Sequence, residues 1–178
     1  MASAIRSFSD LFDSARYERV RKEVLDNPDT DAQSLPYLSG VVKEALRIAL
    51  ANPTRLPRIV PPEGLHIPGL PAIPGRISVG LGAFMLHHKP DVFPDSHKFL
   101  PERWLEATPE MARDSFYFGQ GSRRCIARNF ATAGLSWATE ALIRNDVLRG
   151  ARPVKDKIEV LEWFNVRVID GKIEMQWE

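Results

Sequence analysis

Phe118-Gly119-Gln120-Gly121-Ser122-Arg123-Arg124-Cys125-Ile126-Ala127-Arg128 is the stretch on which the reading of this chain turns. Cys125 is the only cysteine of 178 residues, so no internal disulfide can form. A solitary cysteine is commonly a small buried hydrophobe, but the neighbours of this one point elsewhere. Two glycines precede it, allowing the backbone to turn sharply or to approach a flat ligand where a Cβ would clash. The apolar periodicity that follows predicts that Cys125 opens a helix, where unpaired N–H groups and the dipole favour an anion. Such a position, with Arg123 and Arg124 adjacent, favours a thiolate.

Outward from the loop, Ile126, Phe130, Ala133, Trp137 and Ala138 predict a helix over residues 126–145. Upstream, apolar residues from Phe8 to Val24 predict a helix over 8–27, stopped by Asn27-Pro28. A second helix over 36–51 has Pro36 in its first turn and ends at Asn52-Pro53. Seven of the 14 prolines fall between Pro53 and Pro74, which excludes a long helix over 53–80. Short strands are expected there near Leu56–Val60, Leu65–Ile67 and Ile77–Gly80, then a short helix near Leu81–His88 and an irregular stretch over 89–121. The tail over 158–178 reads as strands, with Asp170-Gly171 predicting a hairpin between Val166–Ile169 and Lys172–Trp177. The fold class is therefore mainly α with small β-sheets (α+β), in one unit.

Composition places the chain among globular proteins, at 44% hydrophobic and 26% charged. A net charge of +1 without a basic block argues against a nucleic-acid partner. No apolar run is long enough to cross a membrane. His87 and His88 are adjacent and point in different directions on a helix, so neither is read as a metal ligand.

The cysteine stretch resembles the heme loop of the cytochrome P-450 family, F-x-x-G-x-R-x-C-x-G. It matches at Phe118, Gly121, Arg123 and Cys125, with Ala127 in place of the last glycine. Two further stretches occur in the family's order. Glu44 and Arg47, three apart on a predicted helix and so on one face, resemble its E-x-x-R. Pro101-Glu102-Arg103-Trp104 resembles its P-E-R-F/W. The resemblance implies the C-terminal portion of the cytochrome P-450 fold, with heme as cofactor and Cys125 as axial thiolate. It implies that Phe118 packs beside the sulfur, that Arg123 and Arg58 meet the heme propionates, and that Glu44, Arg47 and Arg103 form a structural charge network. On residue type alone, Arg55 and Arg58 also fit plain surface positions on a strand.

By the same resemblance the chain is a truncated enzyme, roughly the C-terminal third of a heme-thiolate monooxygenase, with the central helix and its acidic-Thr pair expected before Leu11. The full enzyme would insert one atom of O₂ into a small organic substrate, with electrons from NADPH through a reductase. The loop style resembles fungal microsomal enzymes, many of them in secondary metabolism. A full-length relative is expected at the endoplasmic reticulum membrane. This chain, without an anchor, would be cytoplasmic. The alternative is a non-catalytic remnant. In either case the apolar face of the 36–51 helix is expected to lack partners and lie exposed.

Overall fold

Asn27-Pro28 and Asn52-Pro53 punctuate the first third of the chain, and a helix precedes each. The computed structural model describes residues 2–7, 13–155, 157–162 and 165–177. Helix α1 (Ser14–Asp26) starts at Asp13, whose carboxylate accepts from the Arg16 backbone N–H at 3.1 Å. The Phe8–Phe12 part of the predicted helix lies outside the described residues. Helix α2 (Pro36–Ala49) has no cap from its own N-cap residue. Glu23 of α1 supplies one instead, its two carboxylate oxygens accepting from the N–H groups of Tyr37 and Leu38 at 2.8 Å each. The helix closes at Leu50, which adopts a left-handed conformation and donates its N–H to the Leu46 carbonyl.

The proline-rich stretch yields one antiparallel pair, β2 (Arg55–Ile59) with β3 (Ser78–Gly82), Arg55 facing Gly82 and Ile59 facing Ser78. The strand expected at Leu65–Ile67 reduces to a single bridge between Leu65 and Ile73. Helix α3 (Ala83–His87) follows, then an irregular segment with a 3₁₀ turn at Pro101–Trp104 and the short helix α4 (Pro109–Asp114). Helix α5 covers Arg128–Arg144.

The tail departs from the predicted hairpin. Strands β4 (Ala151–Pro153), β5 (Lys157–Glu162), β6 (Val166–Val168) and β7 (Met175–Trp177) form no β6–β7 ladder. Strand β6 pairs with β5, and β7 pairs with β4. Asp170 and Gly171 do adopt left-handed conformations, φ 68° and 70°, as the dipeptide predicts. The turn forms, but the strands it joins belong to different sheets. An unanticipated strand, β1 (Ala2–Ser7), pairs antiparallel with β5, giving a three-stranded sheet ordered β1-β5-β6.

Val20 and Val24 of α1, Ala32, Leu35, Tyr37 and Leu38 around the start of α2, and Ile143 of α5 form the main buried cluster. Each large member contributes about 1.5–3 kcal/mol on removal from water. The face of α2 expected to lie exposed is covered in part: α1 and α5 pack against it, burying Leu38 and Val42, while Val41, Ala45, Leu46 and Ile48 are half-buried. Tight packing also explains Gly40, where a Cβ would sit 2.7 Å from the Pro101 carbonyl oxygen. The exposed apolar side chains lie elsewhere, chiefly Ile126, Phe130 and Trp137 at and beyond the cysteine loop, and Ile59, Leu81 and Met85 near β2 and β3.

Candidate functional site: a buried charge network behind an exposed cysteine loop

An acidic and a basic side chain three apart on a helix normally face water. On α2 they face inward, and Glu44 and Arg47 are both fully buried. Arg47 grips the Glu44 carboxylate in a fork, Nε to Oε2 at 2.9 Å and Nη2 to Oε1 at 2.8 Å. The same carboxylate accepts from the Leu100 N–H (3.0 Å), Arg103 Nε (3.1 Å) and Trp104 Nε1 (2.9 Å). Burial alone would raise the Glu44 carboxyl. Arg47, with the Leu100 and Trp104 donors, outweighs it and holds the group below its ordinary range.

Arg47 spends its remaining donors on backbone. Nη1 donates to the carbonyls of His87 (2.7 Å) and Ser96 (2.8 Å), and Nη2 to that of Lys98 (3.3 Å). One guanidinium therefore fixes the end of α3 and two points of the irregular segment. Arg103 Nη2 is buried with no hydrogen-bond partner. The structure thus brings Glu44, Arg47 and Arg103 together. Sequence did not foretell the Trp104 indole and Leu100 backbone contacts, because both depend on the 3₁₀ turn at Pro101–Trp104.

The cysteine loop lies on the other side of His87. Gly119 and Gly121 are left-handed at φ 65° and 71°, where a side chain would strain the backbone. A 3₁₀ turn over Gly121–Arg123 follows, and the Cys125 N–H donates back to the Phe118 carbonyl at 2.9 Å. Cys125 does not open the helix as expected. It precedes the first residue of α5 by three, with an intervening turn over residues 126–127. The early position of the loop's own turns displaces the helix start to Arg128.

Cys125 is exposed, as are its neighbours Gly121 to Ala127, and Ile126 is 101% and Phe130 82% exposed. Phe118 is half-buried and packs edge-on against the Tyr117 ring, centroids 5.3 Å apart. Leu56 of β2 reaches the loop, its Cδ1 lying 3.7 Å from where a Cβ on Gly119 would sit. Arg58, two residues on, shares that face of the strand and is exposed, its Nη1 donating to the adjacent Pro57 carbonyl. Among the described residues no carboxylate pairs with Arg58, Arg123, Arg124 or Arg128. An open groove of about 590 Å³ beside the loop is lined by Lys43, Trp104, Tyr117, Phe118, Arg124 and Arg128 among others, with no acidic residue.

These residues fit a flat, anionic, metal-bearing ligand. Cys125 and, nearby in the chain, the apolar Ile126 and Phe130 all face water, and arginines without carboxylate partners among the described residues stand on β2, on the loop and at the start of α5. Among the described residues no group of three or more His, Cys, Asp or Glu could hold a metal ion, so a metal here would depend on a ligand that brings its own coordination. No helix among the described residues is long and apolar enough to cross a membrane.

His87, set aside from sequence as a structural residue of a short helix, has partners that sequence reading did not foresee. It is fully buried, and its Nδ1 lies 2.9 Å from the Arg47 carbonyl while its Nε2 accepts from the Phe116 N–H at 2.7 Å. Burial drives its pKa down from 6.5 to about 4, so the ring is neutral near pH 7. The signal was slight: a histidine ending the apolar run Ala83–Leu86.

Comparison with known proteins adds an independent line. The family model described as Cytochrome P450 matches residues 15–155. Among relatives, "Cytochrome P450 monooxygenase mfmF" of Annulohypoxylon moriforme is 38% identical over 186 residues, covering 99% of this chain and 38% of the relative. "Pisatin demethylase" of Fusarium vanettenii is 40% identical over 132 residues, covering 72% of this chain and 25% of the relative. "Fusicoccadiene C-8 hydroxylase" of Alternaria brassicicola is 41% identical over 113 residues, 63% of this chain and 21% of the relative. The chain therefore spans well under half the length of each of these relatives.

Proposed function

The chain belongs to the cytochrome P450 family, and from that premise we propose that it forms the heme-holding part of a fungal heme-thiolate monooxygenase acting on a small organic substrate in secondary metabolism. The observation that carries the reading is the accessible Cys125 thiol on a loop turned by two left-handed glycines. It lies beside apolar Ile126 and Phe130, with the Glu44–Arg47–Arg103 network fixing the scaffold behind it. Heme, when bound, supplies redox chemistry that places one oxygen atom from O₂ into the substrate.

The chain's own residues have defined parts in this proposal. Cys125 holds the iron through sulfur, and Phe118, Gly121 and Ala127 shape the loop around it. Arg123 and Arg58 neutralise the propionates. The named relatives are a monooxygenase, a demethylase and a hydroxylase, and it is this class of oxidation that is carried over. Electrons would come from an NADPH-dependent reductase, and the whole enzyme would work at the endoplasmic reticulum membrane.

The test is reconstitution of the chain with heme, reduction, and a carbon monoxide difference spectrum, with Cys125→Ala alongside. The red-shifted Soret band of thiolate ligation, lost in the variant, is expected. A band that survives the substitution would remove Cys125 from the site.

A further inference from the structure

We propose that His87 is a positioning residue for the Cys125 loop, coupling the buried charge network to the backbone at the point where that loop begins. The inference rests on the proposed role of the loop, but its geometry stands independently. The Arg47 carbonyl can only accept, so Nδ1 carries the proton. The Phe116 N–H can only donate, so Nε2 presents its lone pair. Both ring nitrogens are committed, and one tautomer satisfies both.

The two sides of the ring lead to different places. On one side Arg47 and His87 hold each other reciprocally, since Arg47 Nη1 donates to the His87 carbonyl while Nδ1 donates to that of Arg47. This binds α3 to α2. On the other side the contact reaches Phe116, whose carbonyl accepts from Gly119 N–H at 2.9 Å. Phe118, two residues on, accepts from Cys125 N–H at 2.9 Å. The His87 ring also meets the Tyr117 ring edge-on, centroids 5.9 Å apart. From the fully buried Glu44–Arg47 pair to the sulfur-bearing backbone there is thus a continuous run of hydrogen bonds, and His87 is the link where it leaves the helix. The imidazole is held neutral by burial, so the acceptor at Nε2 persists at physiological pH.

Two substitutions separate the sides. In His87→Asn the amide nitrogen can replace Nδ1–H toward Arg47, but nothing reaches Phe116. In His87→Gln the longer amide oxygen can replace Nε2 as acceptor for Phe116. The measurement is amide hydrogen exchange on the 178-residue chain without added heme, read at Phe116, Gly119 and Cys125 and, as reference, within α1 and α2.

Losing one buried hydrogen bond should speed loop exchange about tenfold in His87→Asn. In His87→Gln the loop should stay near wild type, and the α1 and α2 amides should be alike in all three chains. Equal effects of the two variants at the loop, acceleration spread evenly over the chain, or outright unfolding of His87→Asn would each overturn the proposal. With heme added, the thiolate Soret band should be retained in His87→Gln and diminished in His87→Asn. A wild-type chain without that band would strike the monooxygenase reading, while the exchange result would stand.

Discussion

Replacing Glu44 by glutamine is the most direct challenge to the buried network. Five donors converge on the Glu44 carboxylate, three on Oε1 (Arg47 Nη2, Leu100 N–H and Arg103 Nε) and two on Oε2 (Arg47 Nε and Trp104 Nε1). Glutamine can place its one oxygen at the first position and keep three of these bonds. Its NH₂ group then faces Arg47 Nε and Trp104 Nε1, so two buried donors lose their acceptor and meet a third donor. Each stranded group costs about 1–3 kcal/mol. The Arg47 charge loses its carboxylate but keeps three carbonyls. Breaking a buried pair from one side typically costs about 3–5 kcal/mol, and the same range is expected here. Against a total stability of roughly 5–15 kcal/mol for a domain, that is a large share. Urea unfolding followed by far-UV circular dichroism measures it. Glu18→Gln is the control, because among the described residues that exposed carboxylate pairs only with exposed Arg149 and should leave the midpoint unchanged. A Glu44→Gln chain within about 1 kcal/mol of wild type, with an unchanged denaturant slope, would show that the network does not hold the fold.

Other outcomes follow from single features. His87 is more acidic when folded, about 4 against 6.5, so the unfolded chain binds the proton first. Stability should be intact above pH 6.5 and fall as pH drops toward 4, by at most about 3 kcal/mol. That component should vanish from the pH–stability profile of His87→Gln. Gly40→Ala should destabilise by about 1–3 kcal/mol, because its Cβ meets the Pro101 carbonyl at 2.7 Å. Gly134→Ala, with open space around it on α5, should be neutral or raise the melting temperature by helix propensity alone. Glu23→Ala removes the cap of α2 from its neighbour, and thermal melts should register a loss of about 1–2 kcal/mol.

Legibility in the sequence tracked locality. Glu44 and Arg47 could be placed on one helix face because three residues fix that relation, and their motif neighbours gave Arg103 as a third partner. Trp104 and Leu100 could not be assigned, because a 3₁₀ turn sets their directions and no periodicity announces it. The cap on α2 was invisible for a similar reason: Glu23 reads as an ordinary surface residue until α1 docks. The Asp170-Gly171 turn shows the limit most clearly. Its dihedral angles were legible from two residues, but the pairing of β6 with β5 and of β7 with β4 is a competition among strands far apart in the chain. At the cysteine loop, residue types pointed to a chemistry while the helix start, predicted at residue 126, lies two residues later at Arg128, since glycine-turned backbone has no hydrophobic period.

The Arg47 guanidinium, with the carbonyl oxygens of His87, Ser96 and Lys98 gathered around it, occupies the place a bound calcium ion takes in many irregular loops. There too, backbone oxygens converge on a buried positive charge. Here the ion is tethered to a helix by its own side chain. The resulting order cannot be extracted by a chelator and is little screened by salt. Lysine could not supply it, because a single ammonium has no planar fork to hold Glu44 on one edge and two carbonyls on another.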